Sequence, residues 1–498
     1  MEAMNDFLVV LPILLPLTGS AVALLLRKQK RLQAAWSLAA MLGGLSASTW
    51  LLARVWSSGQ PVVFQSGGWL APFGISLVGD LLSAMMAVMS QVVLSLGIVY
   101  ALGSRDKVVR YPAFYTVFLT RATGLTGAML AGDLFNLFVF AELLVFSGTI
   151  LTAASDDRLG AEAAFKYFYM SLLASAFLLL AIGSLYVSYG TLSMAGLAMR
   201  IASNPSAPLL WVAIALLLAT FMIKSAVTPF HFWQPDFHTA SPTAVSAMLS
   251  SVVVKLGVYG FLRMTTLLFV EQAAPVRGLL LVLGLLGIVY GGLGAIGTYN
   301  AKRMLAYSTL AHVGFILVAI GWGSHQALAA ALVCAFNHSL IKAALLMLAG
   351  AVASRAPVKT AAFDVVTGLG KYMPLAGVLF FVGGLALMGI PPTNGFISKM
   401  MLFGSGIEAG HFAMLAAVGL VSTLTLVYVV RAFQRIWWQP PAEGLKVKSD
   451  GDRLLAPALL LAAVLLLGLW PEPLVRLAEA TASWLGDPES YIAAVLGR

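Results

Sequence analysis

Seven ionisable side chains lie where the neighbouring sequence is almost wholly apolar: Arg121, Glu142, Lys224, Lys255, His338, Lys342 and Lys399. Each falls inside a hydrophobic run of about 20 residues, the length that crosses roughly 30 Å of hydrocarbon. A charge at the centre of such a run costs about 2.5–3.5 kcal/mol on insertion scales, so the set as isolated charges would cost on the order of 15–20 kcal/mol. That matches or exceeds the whole stability of a typical domain. The groups must therefore be paired, hydrated or partly neutral, and the chemistry open to such groups is proton transfer.

Glu142, in DLFNLFVFAELLVFSG, is the acid placed well inside a run, and a base on a neighbouring helix is its expected partner, Lys224 first. Such a pair about 4 Å apart is worth roughly 4 kcal/mol at an effective dielectric of about 20. A lysine held by Glu142 keeps its proton, and one released into an apolar interior is pressed to give it up. The plainer alternative is a static ion pair that locks helix packing. Lys255, in SSVVVKLGVYG, lies about 13 residues into its run, roughly 20 Å of rise and too deep to snorkel, which suits a relay. His338 and Lys342 stand four apart in FNHSLIKAALL and share a helix face, and imidazole passes protons readily. Lys399 follows GIPPTNGF, where freed carbonyls can hold water or a cation, and suits the end of a relay. His312, in AYSTLAHVGF, is a candidate link between the two halves, with a structural role as the alternative. Lys166 is near the start of its run, where snorkelling explains it. His231 and His238, in PFHFWQPDFH, fall outside the strongly apolar core and are expected at an entrance, with no metal-ligand geometry implied.

The elements that must position these residues are transmembrane helices. The chain is 60% hydrophobic and 10% charged, with a mean hydropathy of +0.92, against roughly 25% charged in a soluble domain. Apolar runs recur to about Trp470, so a signal peptide plus one anchor is excluded. The lone Cys334 removes disulfide frameworks, cysteine zinc sites and iron–sulfur ligation, and six scattered histidines form no haem motif, so neither cofactor nor metal is expected. A net charge of +10 serves topology in a bilayer protein rather than nucleic-acid binding.

The expected fold is an all-α polytopic membrane protein with fourteen spans, near 7–26, 32–54, 79–102, 112–131, 133–155, 161–190, 208–230, 242–268, 277–298, 301–322, 326–353, 372–408, 411–436 and 452–470. Lys and Arg concentrate in the loops after odd spans, among them Arg27, Lys28, Arg105, Lys107, Lys302, Lys359, Lys446 and Lys448, which predicts those loops to be cytoplasmic and both termini outside. Spans 7 and 12 are not simple rods. Pro229 follows Lys224 closely, and Pro391 and Pro392 remove two backbone donors in the middle of an over-long run. Interrupted spans five apart point to a transporter of two inverted five-helix repeats. The units are then 112–268 (spans 4–8) and 277–436 (spans 9–13), preceded by helices 1–3 over 1–111 and followed by a loop, helix 14 and tail over 437–498. GLGAIG, 292–297, matches a dinucleotide fingerprint in form, but lies inside an apolar span with no preceding strand and is expected to permit close helix packing.

GDLFNLFVFAE (132–142), IKSAVTPFHFWQPDFHTASPTAVSAMLSSVVVKLGVYGFLR (223–263), AYSTLAHVGF, FNHSLIKAALL and GIPPTNGFISK together resemble the proton-conducting antiporter-like family. That family includes the D subunit of Mrp cation/proton antiporters and the large membrane-arm subunits of complex I and membrane-bound hydrogenases, and GDLFNLFVF looks especially like the Mrp D subunit. The resemblance implies fourteen helices with broken helices 7 and 12. It also implies a midplane proton relay of Glu142, Lys224, Lys255, His338 and Lys399, joined by Lys342 and His312 from the residue-based reading. It implies other membrane subunits as partners, with protons and Na+ as the moved ions in a bacterial or archaeal-type cell membrane. The alternatives are an antiporter-like subunit of a complex I-type NADH-quinone oxidoreductase or hydrogenase and, from another class, a structural membrane scaffold. The largest family members carry a long C-terminal extension, whereas about 28 residues follow span 14 here, so the D-type resemblance is preferred. Arg121 departs from the family pattern on helix 4 and is a competitor of Lys224 for Glu142.

Overall fold

A computed structural model describes residues 7–69, 71, 74–155, 157–441 and 447–497. Lys446, one of the topology-setting bases, lies outside the described residues. The helices, in chain order, are α1 (Leu11–Leu25), α2 (Lys30–Ser58), α3 (Leu81–Gly103), α4 (Phe114–Leu130), α5 (Leu134–Ala153), α6 (Arg158–Tyr189) and α7 (Met194–Ser203). They continue as α8 (Leu210–Lys224), α9 (Trp233–Ala240), α10 (Thr243–Leu268), α11 (Ala273–Gly297), α12 (Ala301–Trp322) and α13 (His325–Arg355). The last are α14 (Pro374–Met388), α15 (Asn394–Glu408), α16 (Phe412–Trp438), α17 (Leu455–Leu469), α18 (Glu472–Leu485) and α19 (Pro488–Leu496).

The protein is an all-α polytopic membrane protein. Among the described residues nine helices are long and apolar enough to cross a bilayer, and ten if the bent pair α17 and α18 counts as one span. The other expected crossings fall on helices of 15 or 17 residues: α1, α4, α8 and α14. Of these, α8 and α14 are the first halves of the two interrupted spans. The centre of the molecule is α10, α12 and α13, which are hydrophobic all round and almost wholly enclosed by protein, whereas α2 and α16 leave most of their surface to the surroundings.

The ends of the spans are set by local chemistry. Asp133 starts α5 by accepting from the Asn136 amide (2.7 Å), which accounts for the aspartate of the GDLFN motif. Asn300 and Ser324 cap α12 and α13 in the same way. The glycines of α11 let α12 approach: a Cβ on Gly284 would stand 2.8 Å from the Gly314 carbonyl oxygen, and one on Gly294 2.5 Å from the Tyr307 ring. The GLGAIG stretch therefore lies in a helix at a packing interface.

Three features escape the hydropathy pattern. A short hairpin, β1 (Val62–Gln65) and β2 (Ser76–Gly79), pairs antiparallel with Val62 opposite Gly79 between α2 and α3. The helix α7 is short and amphipathic. The residues after α17 form α18 and α19, which fold back on the bundle: Trp484 Nε1 donates to Asp80 Oδ2 (3.0 Å) and the Tyr491 ring lies 5.0 Å from the Arg263 guanidinium.

Candidate functional site: a buried file of charged residues

The site begins where α8 stops. The helix ends at Lys224, the next residues turn, and Ala226 adopts φ of 53°, the sole non-glycine among the described residues in the left-handed region. Such a conformation costs about 1–2 kcal/mol for an alanine. Ser225, freed from the helix, donates from Oγ to the Val254 carbonyl of α10 (3.0 Å), and a Cβ on Gly257 would meet that Oγ at 1.9 Å. The break in α8 is thus seated on the turn that carries Lys255.

Lys255 itself follows a π-helical turn, Leu249–Val253. Such turns loosen the backbone ladder and recur at functional sites. The Ser251 carbonyl inside it takes a hydrogen bond from Ser339 Oγ of α13 (2.8 Å). That contact holds α10 against α13, and beside it Lys255 Nζ is 2.5 Å from His338 Nδ1, both side chains enclosed. The His338 ring stacks on that of His312 from α12, with centroids 5.0 Å apart. His312 Nδ1 donates to the Ser308 carbonyl (2.8 Å), so in the neutral ring Nε2 is an acceptor.

Beyond the two histidines is a cavity of about 30 Å³ lined by His312, His338, Cys334, Ser398 and Lys399. That is room for a water molecule. His338 Nε2 has no hydrogen-bond partner among the described residues, although it is buried. Lys399 Nζ donates to the Met388 carbonyl at the end of α14 (2.7 Å) and to Ser422 Oγ of α16 (2.6 Å), 5.7 Å from the Phe315 ring centroid. The broken span is what brings it there. A Cβ on Gly395 would lie 1.8 Å from the Ala386 carbonyl oxygen, so the second half-helix starts in direct contact with the first. Asn394 and Asn337 exchange hydrogen bonds (2.9 and 3.0 Å), tying that start to the residue before His338.

The structure therefore brings Lys255, His338, His312 and Lys399 into one file. Lys342 is enclosed one turn from His338, but its Nζ donates to the Leu305 carbonyl of α12 (3.0 Å). The expected pair of Glu142 with Lys224 is not in contact: among the described residues no ion pair joins them within 4 Å. Glu142 accepts from Ser175 Oγ of α6 instead, and Lys224 Nζ has no hydrogen-bond partner among the described residues. Arg121 is fully buried and is not paired with Glu142 either. Lys166, expected to snorkel, is held by Glu162 (2.6 Å) and Asp236 (2.7 Å), the latter shared with Arg303.

His238, expected outside the apolar core, is fully buried. Its Nδ1 is 2.9 Å from Ser246 Oγ, a contact across the Ser241–Pro242 turn that holds the ring against α10. Near it the loops after α3, α5, α13 and α16, the α9–α10 turn and the first turn of α12 converge on a cavity of about 590 Å³ bordered by Arg105, Asp157, Lys302, Lys359 and Asp450. The hydropathy pattern gives no prominence to Asp80 and Arg263, a fully enclosed bidentate ion pair (2.7 and 2.8 Å) between the start of α3 and the end of α10. A usable signal existed: opposite charges inside spans 3 and 8, at ends that the charge bias puts on the same side.

Residues 131–425, more than half of the chain, match the family described as NADH:quinone oxidoreductase/Mrp antiporter, TM. The chain is 32% identical over 495 residues to the D subunit of the Na(+)/H(+) antiporter of Bacillus subtilis (strain 168), covering 99% of this chain and 100% of that one. It is 34% identical over 481 residues to the N subunit of the NADH-quinone oxidoreductase of Desulforudis audaxviator (strain MP104C), covering 94% and 95%. A chain of the Mrp complex from Dietzia sp. DQ12-45-1b superposes with a TM-score of 0.90 at 27% identity, covering 99% and 100%. With its interrupted helices and its buried file of lysines and histidines, the chain belongs to the NADH:quinone oxidoreductase/Mrp antiporter membrane family.

Proposed function

We propose that this chain is the proton-translocating D-type subunit of a multisubunit Na+/H+ antiporter, moving protons sideways through Glu142, Lys224, Lys255, His338 and Lys399, with His312 and Lys342 as auxiliary members. The observation that carries the proposal is the file of contacts from Lys255 through the stacked His338 and His312 to a water-sized cavity at Lys399. Each member of that file can hold or release a proton, and each lies within hydrogen-bond, ring-stacking or single-water reach of the next. In this proposal the chain crosses the membrane fourteen times in two inverted repeats, 112–268 and 277–436. Both termini face outward, and the cavity ringed by basic loops opens to the cytoplasm. The full-length likeness to D subunits supports an Mrp-type assembly with other membrane subunits.

The test uses the assembled complex in vesicles. Glu142→Ala and Lys255→Ala should each abolish Na+-dependent proton movement while assembly persists, and retained transport in either would refute the relay. A scaffold subunit would keep transport in both. Assembly is measured alongside, because removing one partner of a buried pair destabilises by about 3–5 kcal/mol. The likeness to the N subunit of an NADH-quinone oxidoreductase favours a second reading, the same relay driven by electron transfer in partner subunits. Proton movement that requires a quinone reductant rather than a Na+ gradient would select it.

A further inference from the structure

Where α10 ends and α11 begins, two membrane spans are joined by the short link 269–272, which marks a boundary between hydrocarbon and water. A groove of about 490 Å³ opens beside it. One wall is Leu267 and Leu268 of α10, a second is Ala198 and Ile201 of the short amphipathic α7, and the third is Ile492 of α19. Helix α19 can give Ile492 to the groove because its other face is already engaged. Tyr491 and Val495, one turn apart and both buried, anchor it: the Tyr491 ring lies 5.0 Å from the Arg263 guanidinium, and the Val495 carbonyl accepts from Gln65 Nε2 of β1 (3.2 Å). The groove is therefore built by the C-terminal helix and is separate from the file of lysines and histidines.

The polar part of its lining consists of acceptors. Glu271 in the link and Glu489 in the first turn of α19 both border the groove, and neither carboxylate is in an ion pair within 4 Å among the described residues. Gln272 borders it too; the residue is buried, and its amide oxygen has no hydrogen-bond partner among the described residues. No Lys, Arg or His lines the groove among the described residues. Two negative charges and an unsatisfied oxygen at the edge of an apolar groove call for a ligand that is cationic at one end and hydrocarbon at the other. A primary ammonium brings three N–H donors to such a set, whereas a trimethylated one brings none. Anionic headgroups are recognised by clustered Lys and Arg, which this groove lacks. A partner helix is too wide for it, since one turn of helix with its side chains fills roughly 400–600 Å³, whereas an extended acyl chain is narrow enough to lie along it.

We propose that this groove binds an aminophospholipid of the phosphatidylethanolamine class. The ammonium donates to the carboxylates of Glu271 and Glu489 and to the Gln272 amide oxygen, an acyl chain lies on Ile201, Leu267, Leu268 and Ile492, and the phosphate points to water. The lipid thereby joins α7, α10 and α19, a second fastening for the C-terminal helices in addition to the Asp80–Arg263 pair.

Native mass spectrometry of the purified full chain, supplied in turn with phosphatidylethanolamine, phosphatidylcholine and phosphatidylglycerol of identical acyl chains, reads the lipid retained, and thermal unfolding of the same samples reads its effect. The wild type should hold phosphatidylethanolamine about tenfold more tightly than either other lipid, as charge-assisted hydrogen bonds would give, and should unfold at a higher temperature with it. Glu271→Gln/Glu489→Gln should lower that retention to the level of phosphatidylcholine and leave phosphatidylcholine itself unchanged. Glu479→Gln, at an exposed carboxylate of α18 outside the groove, should behave as wild type. Ile492→Trp, which fills the groove and keeps both carboxylates, should expel the lipid. Equal retention of phosphatidylethanolamine and phosphatidylcholine, a preference for phosphatidylglycerol, or retention untouched by Glu271→Gln/Glu489→Gln would overturn the proposal. So would a carbodiimide cross-link, in the assembled complex, from Glu271 or Glu489 to a lysine of a partner subunit, because that ammonium would then stand in the lipid's place. Should a variant fail to fold, the comparison of the lipids on the wild type decides alone.

Discussion

The enclosed pair of Asp80 and Arg263 makes a strong stability prediction. Asp80 accepts from both terminal nitrogens of Arg263 (2.7 and 2.8 Å), from the Ser83 amide (2.8 Å) and from Trp484 Nε1 (3.0 Å), and it has no exposed surface. Arg263→Met removes two charge-assisted hydrogen bonds and the neutralising charge, while the carboxylate stays where water cannot reach it. Breaking a buried pair in this way costs about 3–5 kcal/mol, which lowers the folded-to-unfolded ratio roughly 100- to 4,000-fold. Two terms limit the loss to that range. The amide and indole donors remain, and the Tyr259 and Tyr491 rings that flank the guanidinium at 5.1 and 5.0 Å can still pack on a methionine. Adding Asp80→Asn removes the stranded charge and keeps one acceptor, for the Ser83 amide, while its NH2 faces Trp484 Nε1, so the double variant should recover part of the loss. The assay is equilibrium unfolding of the purified chain in detergent for the wild type, both single variants and the double. If Arg263→Met unfolds with the wild type, or the double variant is no better than Arg263→Met, the pair does not hold α3, α10 and the C-terminal helices together as described.

Other consequences are open to simpler tests. Gly395→Ala drives a methyl into the Ala386 carbonyl, so the two halves of the broken span must separate; proton movement should be lost while Gly404→Ala, where a Cβ meets nothing within 4 Å, behaves as wild type. Gly257→Ala should likewise push the end of α8 off α10 through Ser225 Oγ and the Phe221 carbonyl oxygen, and Ser225→Ala should be a milder version, costing about 1 kcal/mol and slowing transport. Ala226→Gly removes the left-handed penalty and should stabilise the chain by about 1 kcal/mol in the same unfolding assay, with destabilisation counting against strain at the break. His338→Ala severs Lys255 from the cavity at Lys399 and should abolish proton uptake in an assembled complex.

Much of this architecture was legible because a bilayer imposes a simple length rule on apolar helices. The expected span 301–322 coincides with α12, and most others begin and end within a few residues of their helices. The break at Pro391 and Pro392 was readable because proline removes donors that a helix requires. Other features carry no such mark. The hairpin at Val62 and Ser76 is too short and mixed to stand out between two spans, and α18 and α19 carry enough polar residues to pass for a tail. The π turn before Lys255 has no compositional signature, although it bears on how that side chain is presented. In the site, residue type and burial were visible, but pairing was not. Asn337 and Asn394 sit inside motifs noted for their neighbours, and only their mutual hydrogen bonds reveal why Lys399 faces His338.

The two halves of the file are in different conditions, and the difference bears on how transport would be timed. From Lys255 to Lys399 every group has a neighbour: a lysine on a histidine, a histidine on a second ring, then a cavity the size of a water. Around Glu142 the situation is reversed, with Lys224 unengaged among the described residues and the carboxylate resting on Ser175. A buried cation without a partner is costly, so this half is poised to rearrange, whereas in the other only His338 Nε2 lacks a partner among the described residues, beside the water-sized cavity. On the proposed relay, proton passage on the Lys255 side would then need little more than water, and the slow step would belong to the carboxylate. On that basis Ser175→Ala, which removes the hydroxyl that holds Glu142, should change the rate of proton movement more than any single loss within the Lys255–Lys399 half that leaves the file continuous, such as Ser422→Ala. Equal effects from the two serines would place the control elsewhere.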